Sequence, residues 1–276
     1  MIGIFHAGVN NNTGPGKVAS NLITGLRKLG HDVVENEEGD YTGCLASWSP
    51  RFKDLPRNTL VGPNLVVLPT DDLEIWNLFD HLIVPCDWVE DYFNKFNCTK
   101  KTNLHKWAVG IDTDKFSPRG DKEIDCLVYF KNRSQQELNQ VISTLNEKGF
   151  SYSVIKYGEY TEDTFIDVVR KCKFSIVLSS TESQGIAYQE ILSMGVPCYI
   201  IDKHEWNDRP GYSFPATSAP FFDNRCGIKC SDLSFFGAFL YDLNKFSPRD
   251  YILDNLTLEK CAGEYFNIME KIGDIS

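Results

Sequence analysis

The sequence predicts an α/β protein built in two halves, each a parallel sheet with helices on both faces. Three observations predict it. Short apolar runs alternate with stretches whose apolar residues recur at helical spacing, the pattern of a doubly wound sheet. That alternation occurs twice, on either side of a polar passage that follows residues 107–118. In the second half a buried strand, a glycine-containing turn and a helix start follow one another over residues 174–197. There the free backbone N–H groups and the helix dipole point the same way and make an anion site. At 276 residues the chain is one large or two ordinary domains, and each half is long enough to bury its own core.

Residues 2–7 form the first strand, and Val18, Leu22, Leu26 and Leu29 repeat at helical spacing behind it. Gly30 ends that helix and residues 31–34 begin strand two, so the loop over 8–16 lies at the carboxyl edge of a sheet, where open α/β folds bind ligands. Runs at 65–68 and 82–84 are further strands, the second leading into a helix over 88–96. In the second half 126–130 is a strand, and Ser134 with Glu137 is a capping box opening a helix that ends at Gly149. Residues 152–157 make the next strand, and Thr161 caps a helix running to Cys172. Strands at 174–178 and 198–201 flank a helix from Ile186 to Met194, closed by Gly195 and Pro197. Beyond Pro210 come loops rich in Pro, Ser and Phe, then an amphipathic helix over 258–272.

Composition excludes some classes. A net charge of −10 argues against nucleic-acid binding, which needs a basic face. A few local cations still suffice for one diphosphate. No run reaches transmembrane length, and the first residues enter a strand without the basic and long apolar regions of a signal peptide. Nine scattered cysteines with no Cys-x2-Cys pair read as reduced thiols in the cytoplasm, although Cys226 and Cys230 have the spacing of half a zinc site.

The turn is framed by Glu182 before the helix and Glu190 within it. Glu190 lies three and four residues after Ala187 and Ile186, so it shares a face with the first helical turn. Carboxylates there accept from ribose or sugar hydroxyls while the amides near Gly185 hold phosphate. Lys131 and Arg133 follow the strand 126–130 at the same sheet edge, and two cations beside a helix N-terminus suit a diphosphate.

Glu182-x7-Glu190, followed by Ser-Met-Gly-Val-Pro, resembles the signature of retaining glycosyltransferases of family 4. Residues 107–118 resemble the segment that joins the two halves in that family. The resemblance implies the GT-B fold, two Rossmann-like domains with a cleft between them. It places an acceptor-side domain at 1–118, a donor domain at 119–256, and a C-terminal helix, 257–276, packed back on the first. It implies a hexosyltransferase without metal or other cofactor, taking GDP-mannose first and UDP-glucose second to a glycan or other hydroxyl acceptor. A second copy of the chain is a further candidate partner. Glu182 would orient donor hydroxyls, Glu190 the ribose, and Gly185, Ile186 and Ala187 the phosphates. Tyr157 and Gly158 would hold the base, Gly14 and Gly16 would face the donor, and Lys131 and Arg133 would take up the departing charge. The chain departs from the family in reading Lys-Asn-Arg rather than Gly-Arg with a later Lys-Gly. On the acceptor side the family's histidine is missing after the strand 65–68; His6, Asp71 and Asp72 are the candidates.

Two other classes compete. Residues 14–19 fit the Gly-x-Gly-x-x-Ala dinucleotide fingerprint with Glu35 near its acidic position, which suggests an NAD-dependent oxidoreductase. The fingerprint, however, turns immediately after strand one, and here residues 8–13 intervene. The Walker pattern fails at Asn11 and Val18. A non-catalytic nucleotide-sugar-binding module is the third reading. Asp112 and Asp114 mimic an Asp-x-Asp metal motif, but in a linker rather than at the end of a buried strand.

Overall fold

The computed structural model describes residues 1–6, 13–46, 54–64, 69–70 and 75–273. The chain forms two compact units, Met1–Gly110 with Leu256–Ser276, and Ile111–Asn255. The first unit contains β1 (Ile2–Phe5), α1 (Gly14–Lys28), β2 (Val33–Glu35), β3 (Tyr41–Ala46), β4 (Leu60–Asn64), α2 (Ile75–Leu78), β5 (His81–Val84), α3 (Asp87–Asn94) and β6 (Asn103–Lys106). The second contains β7 (Ile124–Lys131), α4 (Gln135–Glu147), β8 (Tyr152–Lys156), α5 (Glu162–Lys171), β9 (Cys172–Ser179), α6 (Ile186–Ser193), β10 (Cys198–Ile201), β11 (Glu205–Trp206), β12 (Phe214–Pro215), β13 (Gly227–Cys230), α7 (Phe236–Tyr241) and α8 (Pro248–Asn255). The chain then returns to the first unit as α9 (Leu258–Gly273).

The first sheet runs β2-β1-β3-β4-β5-β6, every pairing parallel. Thr13 caps α1 by accepting from Gly16 N at 3.2 Å, and Pro15 stands in the first turn. Gly14 and Gly16 therefore lie inside the helix, not in the loop expected from the sequence. The buried face of α1, with Val18, Leu22 and Leu26, packs against α9. A Cβ on Gly25 would stand 2.5 Å from Leu258 O, so only glycine permits this helix–helix approach. In this unit β3, β4 and β6 were not anticipated. β3 contains Gly43, and β6 is a half-exposed edge strand with no long apolar run. The expected strand at 65–68 lies outside the described residues; β4 ends just before it.

The second sheet runs β13-β10-β9-β7-β8, again all parallel. Cys126, Val128, Phe174, Ile176, Leu178, Tyr199 and Ile201 lie in one cluster with Leu138, Val141 and Leu145 of α4 and Phe236 and Phe239 of α7. The alternate residues of β7 point the other way; Tyr129 meets Phe165 of α5 with ring centroids 6.3 Å apart. Both faces are thus covered, which explains near-continuous apolar strands. The passage beyond Pro210, unread in the sequence, belongs to a small antiparallel hairpin of β11 with β12, and then to β13 at the sheet edge.

The division between units falls at Gly110 and Ile111, whereas the sequence suggested 118. The intervening residues are tied to the second unit. Arg249 Nη1 donates to Ser193 O at 2.6 Å, its Nη2 donates to Thr113 O at 3.1 Å, and Ser193 Oγ donates to Phe116 O at 2.6 Å.

Candidate functional site

In the second sheet the chain passes from β7 to β8 on one side and then to β9 on the other. The loops leaving β7 and β9 diverge at their carboxyl ends, and this switch point is where open α/β sheets take their ligands. Lys131 ends β7 in register with Ser179, which ends β9. The turn after β9 leads through Gly185 into α6. Gly185 has φ +76, and a Cβ there would lie 2.0 Å from the Tyr188 ring, so the position admits only glycine. The first amides of α6, at Ile186, Ala187 and Tyr188, have no acceptor within the helix. Gln189 braces the turn, donating from Nε2 to Gln184 O at 2.7 Å.

Lys131 Nζ sits 2.8 Å from Glu182 Oε1, with side-chain exposures of 22% and 13%. Burial pushes the Glu182 carboxyl above the usual range, against the pull of Lys131. Lys131 also lies 4.7 Å from the centre of the half-exposed Tyr157 ring, at the end of β8. Glu190, on α6, is only 2% exposed. The charges of Glu182 and Glu190 both act on the phenols of Tyr129 and Tyr160, which gathers these four groups into one neighbourhood. Burial pushes Tyr160 up to about 12 and Tyr129 higher still.

Arg133 goes elsewhere. Nη1 donates to Ser179 O and Ile201 O, both at 2.9 Å, while Nε and Nη2 donate to Glu137 Oε1 at 2.9 and 2.5 Å. Four of its five N–H donors are committed to the protein, and the side chain is 8% exposed. Arg133 clamps the ends of β9 and β10 to the capping box of α4. That pairing draws the Glu137 carboxyl down to about 2. The two cations adjacent in the sequence are separated in space by Asn132, whose φ of 53 reverses the chain between them.

The remaining expected residues fall as follows. Gly158 follows Tyr157 with φ +84 and open space where a Cβ would be. His6 is buried at the end of β1, its Nε2 3.1 Å from Glu35 Oε2, and Glu35 also accepts from Arg27 at 2.9 Å. Asp71 and Asp72 lie outside the described residues. Asp112 Oδ1 accepts from the backbone of Asp114 and Lys115, so it forms a turn. All nine cysteines are free thiols. His81 and His105 pair with each other at 2.9 Å across β5 and β6.

A polar cluster beside the switch point went unread. Asp202, directly after β10, is buried, and its Oδ1 accepts from Ser218 N at 2.6 Å and Thr217 Oγ1 at 2.9 Å. Its Oδ2 lies 3.2 Å from His204 Nδ1. Ser218 Oγ donates to Ser179 O, and Glu182 N donates to Thr217 O at 2.9 Å. A carboxylate ending an apolar run was the signal available in the sequence.

The architecture is the two-unit, parallel α/β fold seen in GT-B glycosyltransferases. Solved structures of that fold match the chain over most of its length. An alpha-glucosyltransferase in complex with UDP and a 13-mer DNA containing an HMU base matches at 10% identity and TM-score 0.53, over 98% of this chain and 99% of that one. Sucrose-phosphate synthase from Thermosynechococcus elongatus matches at 10% identity and 0.51, over 99% and 74%. A TarM variant from S. aureus, in complex with Fondaparinux, alpha-GlcNAc-glycerol and UDP, matches at 12% and 0.53, over 91% and 58%. Across such structures the chain spans between 47% and 99% of the solved chain. No family model and no curated protein matches the sequence. No helix among the described residues is long and apolar enough to cross a membrane.

Proposed function

We propose that the protein is a retaining glycosyltransferase that moves a hexose from a nucleoside-diphosphate sugar to a hydroxyl of a glycan or related acceptor. The observation that carries this reading is the Lys131–Glu182 ion pair at the switch point, beside the glycine-opened start of α6 and the buried Glu190. The amides at Gly185, Ile186 and Ala187 would hold the diphosphate, and Lys131 would meet the negative charge that grows on it as it departs. Glu182 would orient the hydroxyls of the sugar, Glu190 the ribose, and the backbone at Tyr157 and Gly158 the base. The bond from the anomeric carbon to the phosphate oxygen breaks, and one to the acceptor oxygen forms on the same face. The acceptor proton passes to the leaving phosphate oxygen, so no protein base is needed. The donor charge is met by amides and Lys131, and the reaction is assigned without a metal. Acceptor recognition is assigned to the first unit, near His6, and the setting to the cytoplasm.

The dinucleotide alternative is disfavoured by two features. Its fold orders strands 3-2-1-4-5-6 and turns on glycine directly after the first strand. Here the order is 2-1-3-4-5-6, and residues 14–19 lie within a helix that starts well after β1 ends at Phe5. Calorimetry with UDP, GDP and NAD, followed by turnover with UDP-glucose and GDP-mannose, tests the reading; UDP is included because solved structures of this fold contain it, and GDP-mannose because the family resemblance implies it. Binding of UDP or GDP with sugar transfer is expected. Binding of NAD alone would overturn it.

A further inference from the structure

Arg133, the second cation after β7, is spent on Ser179 O, Ile201 O and Glu137 and does not reach the switch-point turn. A further charge-assisted hydrogen bond to a phosphate oxygen at this edge would add to what Lys131 and the amides supply. We propose that His204, oriented by Asp202, is that further contact, an imidazole that binds the diphosphate of the donor. The proposal rests on the nucleotide-sugar reading above and adds a ligand-binding residue to it.

Lys131 is in register with Ser179, and Val177 with Ile200, so Asp202 stands level with Ser179 two residues further along. Tyr199 and Ile201 belong to the cluster under α4, so Asp202, like Lys131, faces the opposite side of the sheet. Neighbouring strands are about 4.8 Å apart, which puts Lys131 and Asp202 roughly 10 Å apart across β9. Hydrogen bonds join the same places. Thr217 accepts from Glu182 N through its carbonyl and donates through its hydroxyl to Asp202, whose other oxygen meets His204.

Asp202 is a buried carboxylate whose Oδ1 already has two donors, and Oδ2 fixes the imidazole through Nδ1. With Nδ1 so engaged, Nε2 is the free edge, and as an imidazolium it presents an N–H outward. The His204 side chain is 69% exposed. Of the charged groups nearby, Lys229 Nζ donates to Thr217 Oγ1 and Ala219 O, and Glu205 accepts from Ser213.

The test is calorimetry on the full chain with UDP, GDP and the matching nucleosides, for wild type, His204→Gln, His204→Arg and Glu190→Gln. His204 is exposed, so its variants are expected to fold as wild type, with thermal melts as the check. His204→Gln should weaken the diphosphate about tenfold and leave the nucleoside within about twofold, the loss expected for one charge-assisted contact. His204→Arg should restore most of that affinity. An unchanged diphosphate affinity in His204→Gln, or an equal loss for nucleoside and diphosphate, would overturn the proposal. If Glu190→Gln still weakens binding in that case, the glycosyltransferase reading stands without it. If neither UDP nor GDP binds the wild type, both fall together.

Discussion

Asn132 separates two cations that look alike in the sequence. Its left-handed backbone lets Lys131 stay with the face that carries Glu182 while Arg133 turns toward Ser179 O and Ile201 O. Replacing the two should therefore give different results. Arg133→Ala strips two buried carbonyls and Glu137 of their donor, and should lower stability by about 2–4 kcal/mol, read as a shift in urea midpoint. Lys131→Ala should lower kcat more than donor affinity, because a cation that meets a departing charge is worth most in the transition state. If Arg133→Ala leaves the midpoint unchanged, the clamp is wrong. Glu190→Gln should weaken donor binding by about 1–3 kcal/mol, as expected when a charged acceptor is lost, and unchanged nucleotide affinity in the folded variant would remove that role. The sequence put a Lys and an Arg at the same sheet edge as the turn that carries Glu182. It did not show which cation pairs with Glu182, since that depends on one φ angle and on carbonyls contributed by two distant strands.

The capping box of α4 was legible from Ser134 and Glu137 alone, because its geometry is set within four residues. Helix α6 was legible for the same reason, from Gly185 to its close at Gly195. Strands β3 and β6 were not: Gly43 interrupts one, and the other is a short edge strand, so neither shows the apolar run of a central parallel strand. The β11–β12 hairpin and β13 were missed because they are held by partners far along the chain, as in the pairing of Gly227 with Cys198. The α4 cap makes an acid prediction. Glu137 has a folded pKa of about 2 against an ordinary 4.5. A carboxyl depressed on folding stabilises above its unfolded pKa, and that stability is lost as pH falls from about 4.5 to 2. Urea midpoints measured across that range should drop, and Glu137→Gln should flatten the drop. Parallel curves for the two proteins would show that the cap does not matter to acid stability.

The first unit is completed by a helix that the chain supplies last. Leu258, Cys261, Ala262, Tyr265, Met269 and Ile272 are buried on α9, and Trp107 Nε1 donates to Cys261 O at 2.7 Å. Removing 256–276 exposes the facing surface of α1 and forfeits on the order of 10 kcal/mol of burial, comparable to the whole stability of an ordinary domain. The truncated chain should therefore keep protected amides in Ile111–Asn255 and lose them in Met1–Gly110, read by hydrogen exchange with mass spectrometry. Persistent protection in the first unit would contradict this. Synthesis on the ribosome meets the same arrangement in time. About 160 residues separate Gly110 from the end of α9, which at roughly 5–20 residues per second is a wait of roughly 8–30 s. During it the Gly25 face of α1 has no helix to cover it, while Ile111–Asn255 is a compact unit without α9. The nascent chain thus offers an uncovered apolar helix face to chaperones or to other chains for that interval. The half made first is the half finished last.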